Sequence, residues 1–368
     1  MNDEGVDGIE SSAPETRLVA LPAQLIETRR GVILRRGSIQ VLIGGERSLE
    51  AVEAVTEALS GEGATIDEVV ESFAAPDRPA VKQLVEYLLA HQLVVSSDSE
   101  FVAPVPGDEL DVFYWQFGVP SGQVRRRLQD VRLVIVGVNH ISRQLAHALM
   151  TVGLTNVVII DFPALRNLSF FDDFSVLRTT EWGLTQAPVP YDEWAADLDA
   201  DSFDCLVATS DFGGLRLMRT WNNFCIENGR HFFPVVLQDM IGYVGPSVIP
   251  YETACFECFL SRLDSNRDQD EREYQAEMAA YEGQNVDGLH PSLASVLGDI
   301  TAIELTKFYS RALPLWKTGT VMEVNLLSGR IDSRKVLRVP RCRVCSNLLR
   351  RSSTSMVKAT LGAKVVEP

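Results

Sequence analysis

RLVIVGVNHISRQLAHALMTVGLTNVVIID, from Arg132 to Asp161, is the stretch whose reading decides the fold. It opens on a continuous apolar run, Leu133–Val136, closed by Gly137. A helical period follows, with Leu145, Ala148, Leu149 and Val152 on one face and Gly153 as its stop. A second apolar run, Val157–Ile160, ends in Asp161. Strand, tight turn, helix, strand and acid make the βαβ unit that binds nucleotides, with phosphates on the helix N-terminus. The turn departs from that pattern. It reads Gly137-Val138-Asn139-His140-Ile141-Ser142, without the later glycines that let backbone approach a phosphate.

Outward from this unit, the chain has 368 residues, enough for two domains with ordinary cores. It is 46% hydrophobic and 23% charged, the balance of a soluble globular protein. No apolar run reaches the ~18 residues of a membrane helix. The start, MNDEGVDGIESSAPE, is too acidic for a secretory signal. The expectation is a cytoplasmic protein that does not engage a membrane. A net charge of −16 argues against nucleic acid as the partner, since phosphate backbones need a basic face.

In chain order, residues 1–16 read as a disordered N-terminus. Residues 17–100 read as a small winged-helix-like domain. Two short strands, Gly31–Gly37 and Ser38–Gly45, are joined tightly at Gly37, and Ser48 starts a helix to about Leu59. Thr65 caps a second helix, Pro79 opens a third, and Leu93–Val95 closes the domain as a strand. Arg29, Arg30, Arg35 and Arg36 cluster on the strands, which suits either a solvated face or an added peptide strand. Residues 101–127 read as a linker, broken by Pro104, Pro106 and Gly107. It ends in an aromatic strap of Phe113, Tyr114, Trp115 and Phe117.

Residues 128–350 read as the doubly wound α/β domain. Beyond the opening unit come a strand at 203–209 ending near Asp211, a helix from Leu215 to Asn228, and a strand at Phe232–Leu237. A charged helix, Asn266–Tyr281, a longer one, Pro291–Tyr309, and strands near Val321–Leu326 and Lys335–Leu337 follow. Residues 351–368 read as a flexible tail. Two CxxC pairs, Cys255/Cys258 and Cys342/Cys345, point to a closed Cys₄ site for structural Zn²⁺ that joins distant parts of the chain. Cys205 and Cys225 lack a neighbouring base and read as packing.

This order of features, with Asp161, Asn167 and Asp211 and the phrases GPSVIPYETACFEC and VPRCRVC, resembles the ThiF/MoeB-like adenylating proteins. Within them it resembles the leader-peptide-binding partners of YcaO-type cyclodehydratases in azole peptide pathways. The resemblance implies that Gly137 and Asp161 stand at the nucleotide's turn and ribose, Asn167 near phosphate and Asp211 near Mg²⁺. It also implies that a precursor's leader lies as a strand against Ser38–Ile43 and meets helix 79–91. Arg35, Arg36, Ser38, Val41, Ile43, Leu84, Tyr87 and Leu88 are the candidate contacts. Homodimerisation follows from the same resemblance.

Three departures bear on chemistry. The glycine turn is lost, Phe170 and Phe171 stand where the family has an arginine, and no lysine occurs between Lys82 and Lys307. Arg166 and Arg178 are the only substitutes suggested. A site without phosphate cations is a poor catalyst of adenylation. The expectation is therefore a degenerate nucleotide site with no catalytic residue, no use of ATP or Mg²⁺, and a non-catalytic chain that presents a leader peptide to a YcaO enzyme. The alternative is an active ATP-dependent adenylating enzyme acting on a peptide or carrier-protein C-terminus.

Overall fold

The computed structural model describes residues 16–97, 108–238, 240–265, 290–314 and 317–346. The disordered start, the flexible tail, the breaks at Pro104, Pro106 and Gly107 and the helix Asn266–Tyr281 are expectations that lie outside the described residues. The chain divides into two compact units, Met1–Arg126 and Arg127–Pro368.

The first unit begins with β1 (Leu18–Ala20), β2 (Gln24–Thr28), β3 (Gly31–Arg36) and β4 (Ile39–Gly44). Helices α1 (Ser48–Ala58), α2 (Ile66–Glu71) and α3 (Arg78–Ala90) follow, then β5 (Val94–Ser96) and α4 (Glu109–Trp115). The β3–β4 hairpin pairs from Arg36↔Ile39 to Gly31↔Gly44, as its apolar alternation requires. Thr65 and Glu68 form a reciprocal capping box on α2. Two strands were not foreseen. β2 joins the sheet in the order β2-β3-β4, and β1 pairs with β5. With β2 on the far side of β3, β4 has no strand on its other side among the described residues. Val32, Leu34, Val41, Val52, Val55, Val81, Val85 and Leu88 form one core under the sheet. The described part of what read as a linker, residues 108–127, is largely helical. In α4, Tyr114 and Trp115 are buried while Phe113 is exposed, and Trp115 Nε1 donates to Gln92 O at 2.7 Å.

Helix α5 (Ser121–Gln129) spans the unit boundary. The second unit then runs β6 (Leu133–Val136), α6 (His140–Val152), β7 (Val157–Asp161), α7 (Thr179–Trp182), β8 (Val189–Pro190), α8 (Tyr191–Ala196) and β9 (Cys205–Ser210). It continues with α9 (Met218–Glu227), β10 (His231–Gln238), β11 (Ile241–Val244), α10 (Phe256–Ser265), α11 (Pro291–Ser310), β12 (Thr320–Asn325) and β13 (Arg330–Lys335). The sheet order is β13-β12-β11-β10-β9-β6-β7-β8. Pairings among β10, β9, β6, β7 and β8 are parallel, and those from β10 out to β13 are antiparallel. This is a mixed α/β, Rossmann-like architecture. The chain leaves β6 towards β7 and later returns on its other side at β9, so the topological switch point lies between β6 and β9.

Side chains alternate across these strands. Val134, Val136, Leu206 and Ala208 join α9 and α10 in one core. Helix α11 lies close against α6: a Cβ on Gly298 would come within 2.9 Å of Ile141 O. The buried face of α6 is Ile141, Ser142, Leu145, Ala146 and Leu149, turned slightly from the expected stripe because α11 also covers it. β13 lies at 330–335 rather than 335–337, and its side chains are almost all exposed. No helix among the described residues is long and apolar enough to cross a membrane.

Candidate functional site

At the switch point the chain turns sharply after β6. Gly137 has φ +110°, and a Cβ there would lie 2.6 Å from Thr209 O, so the turn is pressed against β9 and excludes any side chain. The missing glycines are replaced by a polar clasp. Asn139 Oδ1 accepts from Ser142 N–H at 3.0 Å, and Ser142 Oγ accepts from Asn139 N–H at 3.0 Å, a capping box on α6. Asn139 Nδ2 donates to Thr209 O at 2.9 Å and to Thr209 Oγ1 at 3.0 Å.

The structure brings the expected residues Gly137, Asn167 and Asp211 together. Asp211 is 2% exposed. Its Oδ2 accepts the His140 N–H at 2.8 Å, and Asn167 Nδ2 donates to both of its oxygens at 3.0 Å. Burial pushes the Asp211 carboxyl up to about 6, against the pull of those donors. Turned inward in this way, Asp211 is not presented as a Mg²⁺ ligand. Asp161 ends β7 and is gripped by Arg166, with Nε donating to Oδ1 at 2.6 Å and Nη2 to Oδ2 at 2.7 Å.

The cations that the sequence lacks in line reappear in space. The Arg166 guanidinium lies 4.7 Å from the Phe171 ring centre, and that of Arg143 lies 5.3 Å from the Phe170 ring. The two aromatics that replaced an arginine thus carry arginines from elsewhere. Arg143 was missed; its only signal was its place in the first turn of α6, where side chains flank an anion site. His140 was missed as well. Its ring packs 4.7 Å from Phe170, and burial, then Arg143, holds its pKa below the usual value.

In the first unit the open edge of β4 borders a groove of about 520 Å³. Ile43, Ala51, Ala54, Phe73, Ala80 and Leu84 supply its apolar lining, and Arg47, Glu50 and Asp77 its charges. Of the proposed peptide contacts, Ile43 and Leu84 line this groove, Tyr87 is exposed on α3, and Arg35 and Ser38 are exposed. Three others belong to the domain itself. Val41 and Leu88 are core residues. Arg36 is buried: Nη2 donates to Asp111 Oδ2 at 2.6 Å and Nη1 to Pro22 O at 2.7 Å. Packing in the core holds Val41 and Leu88, and a buried partner holds the Arg36 charge, so none of the three reaches a peptide.

Cys255, Cys258, Cys342 and Cys345 converge, all buried, with their sulfurs within 4.8 Å of one another. The Cys255–Cys258, Cys255–Cys342 and Cys258–Cys345 separations are 3.8, 3.7 and 3.5 Å. Tetrahedral thiolates about 2.3 Å from a zinc ion stand roughly 3.8 Å apart, so the set fits one such ion. Hydrogen bonds from Cys255 and then Cys258 push the Cys345 thiol down to about 4.

No protein-family model matches the sequence, and no curated protein does. Solved structures match over nearly the whole chain. The structure of the heterocyclase TruD shares 17% identity at a TM-score of 0.58, over 90% of this chain and 43% of TruD. The microcin C7 biosynthetic enzyme MccB, in complex with N-formylated MccA, shares 15% at a TM-score of 0.60, over 89% of this chain and 99% of MccB. E. coli MccB with ATP shares 14% at 0.58, over 90% and 100%. The fold is ThiF-like.

The ThiF-like likeness corrects two expectations. The chains that share this fold are described as a heterocyclase and a biosynthetic enzyme, which overturns the reading of a non-catalytic chain. One of them was solved with ATP, so the fold gives no ground for excluding that nucleotide. Arg143 supplies a cation over the Phe170 ring, whereas Arg166, one of the two substitutes expected, is engaged by Asp161.

Proposed function

We propose that the chain is an ATP-dependent enzyme of ribosomal peptide maturation. The first unit takes a precursor's leader as an added strand on β4, and the ThiF-like body activates a carboxyl group of that peptide. The observation that carries this is the unpartnered edge of β4 beside an apolar groove, since such an edge supplies main-chain hydrogen bonds and the groove side-chain selection. Ile43, Leu84, Tyr87, Leu42 and Arg35 are the contacts this geometry favours. The solved complex of the microcin C7 biosynthetic enzyme MccB with N-formylated MccA, on the same fold, supports it.

At the switch point, phosphates would approach the N-terminus of α6. In this reading the Arg143 guanidinium, on the first turn of α6 and donating to Glu181 O at 2.8 Å, would turn to take negative charge from the polyphosphate. A peptide carboxylate oxygen would attack the α-phosphorus, pyrophosphate would leave, and an acyl-adenylate would form. The four cysteines are proposed to hold a structural Zn²⁺, which supplies cross-linking and no chemistry. Two measurements test the proposal. Isothermal titration against the cognate leader should show micromolar or tighter binding, and ATP–pyrophosphate exchange should depend on the precursor. Absence of both sinks it.

One observation favours a second reading. The chain spans only 43% of the heterocyclase TruD. A separate YcaO-type cyclodehydratase would then convert Cys, Ser or Thr of the bound peptide to azolines. Dehydration of the precursor, followed by mass spectrometry with and without this chain, separates the two readings.

A further inference from the structure

Both polar poles of the switch-point crevice are held by the chain's own groups. The acid that ends the second strand of such a unit ordinarily accepts hydrogen bonds from ribose hydroxyls, and the helix N-terminus ordinarily takes a phosphate. Here both oxygens of Asp161 are engaged by the Arg166 fork, in a pair whose side chains keep only 22% and 14% of their exposure. The fork is also fixed from one side by the Phe171 ring. At the other pole, Asp211 Oδ2 accepts the His140 N–H.

We infer that Arg166 is an internal competitor of the nucleotide's ribose and sets both the affinity and the sugar selectivity of the crevice. The inference rests on the nucleotide-binding part of the function proposed above. A planar guanidinium meets a carboxylate through two parallel N–H donors, as two vicinal ribose hydroxyls would. Only one of them can occupy Asp161. While Arg166 holds the acid, a nucleotide enters through its base and phosphates, and its sugar hydroxyls contribute nothing. Once Arg166 leaves, Asp161 becomes available and the hydroxyls are read.

The test is calorimetric titration of ATP and of 2′,3′-dideoxy-ATP, with Mg²⁺ in the buffer. The proteins are the full chain, Arg166→Gln and Arg166→Lys, each checked for an unchanged melting temperature. The wild type should bind the two nucleotides within about twofold of each other. Arg166→Gln should bind ATP roughly tenfold more tightly and prefer it over the dideoxy form by about tenfold, the size of one charge-assisted contact set. Arg166→Lys should fall between, because an ammonium offers a point charge and no fork. It also carries the test if the glutamine variant does not fold. Weaker or unchanged ATP binding in Arg166→Gln, or sugar discrimination already present in the wild type, overturns the inference and leaves nucleotide binding intact. If no folded variant binds ATP at millimolar concentration, the nucleotide reading itself falls, and this inference with it.

Discussion

Arg35 and Arg36 are neighbours in sequence with opposite surroundings. Arg35 faces solvent, and Arg36 is locked on Asp111 with both side chains about 5% exposed or less. Arg36→Glu places two like charges in one buried site. It should cost ~3–5 kcal/mol of unfolding free energy in a urea titration. Arg35→Glu should leave that midpoint unchanged and weaken an acidic leader. If the two variants behave alike, the assignment is wrong.

A second residue-scale prediction follows from two buried groups titrating in opposite senses. Asp211 is raised to about 6, so folding takes up a proton, and its stabilising share falls as pH rises from about 4 to about 6. His231 lies between Tyr309 OH and Ser247 Oγ, each at 2.8 Å, and burial lowers its pKa to about 4. Its unfolded value is about 6.5, so its share rises over nearly the same window. Thermal midpoints between pH 4 and pH 7 should therefore climb more steeply with pH in Asp211→Ala than in the wild type. They should climb less in His231→Gln. Parallel profiles for all three proteins would refute the opposition.

Among elements, β4 and its groove carry the peptide reading. Ala54 lines the groove from α1 and is exposed, so Ala54→Leu can fill it at little cost in packing or helix propensity. Leader affinity should drop by more than about tenfold, ~1.4 kcal/mol, with no loss of melting temperature. Unaltered titration curves would place the peptide elsewhere. This groove was only half legible in the sequence. Helices α1 to α3 and the β3–β4 hairpin announced themselves through apolar period, Thr65 and Pro79. β2 did not, because its pattern of half-buried and exposed residues has no clean alternation, and without it β4 cannot be identified as an edge. β13 was misplaced for a related reason: a strand exposed on both faces has no hydrophobic signature.

At the scale of the whole molecule, the cysteine cluster joins the start of α10 to the chain beyond β13. One zinc ion per chain is expected by elemental analysis. Its removal by a strong chelator should lower the melting temperature by roughly 5–10 °C, since ligands from distant segments are released together. Cys258→Ser should match the chelated protein. A chain that melts identically with and without metal would show four packed thiols only. The CxxC spacing made this cluster readable in one dimension. The same one-dimensional reading failed at the switch point. There Arg143 reaches Phe170 from a position that no motif marks, and Asn139 replaces a glycine cradle by side-chain hydrogen bonds.

Two of the three sheets also end differently. β13 closes its sheet with Arg330, Asp332, Arg334 and Lys335, a row of charges that repels further strands. β4 ends its sheet with Gln40, exposed Leu42 and Gly44, none of them charged. An edge kept receptive to one peptide is receptive to any extended chain, including a stray copy of itself. The protein prepared without its leader should therefore form concentration-dependent aggregates seeded at β4, and Leu42→Lys should suppress them. Saturating leader should do the same, so the substrate would protect the protein from aggregation during storage.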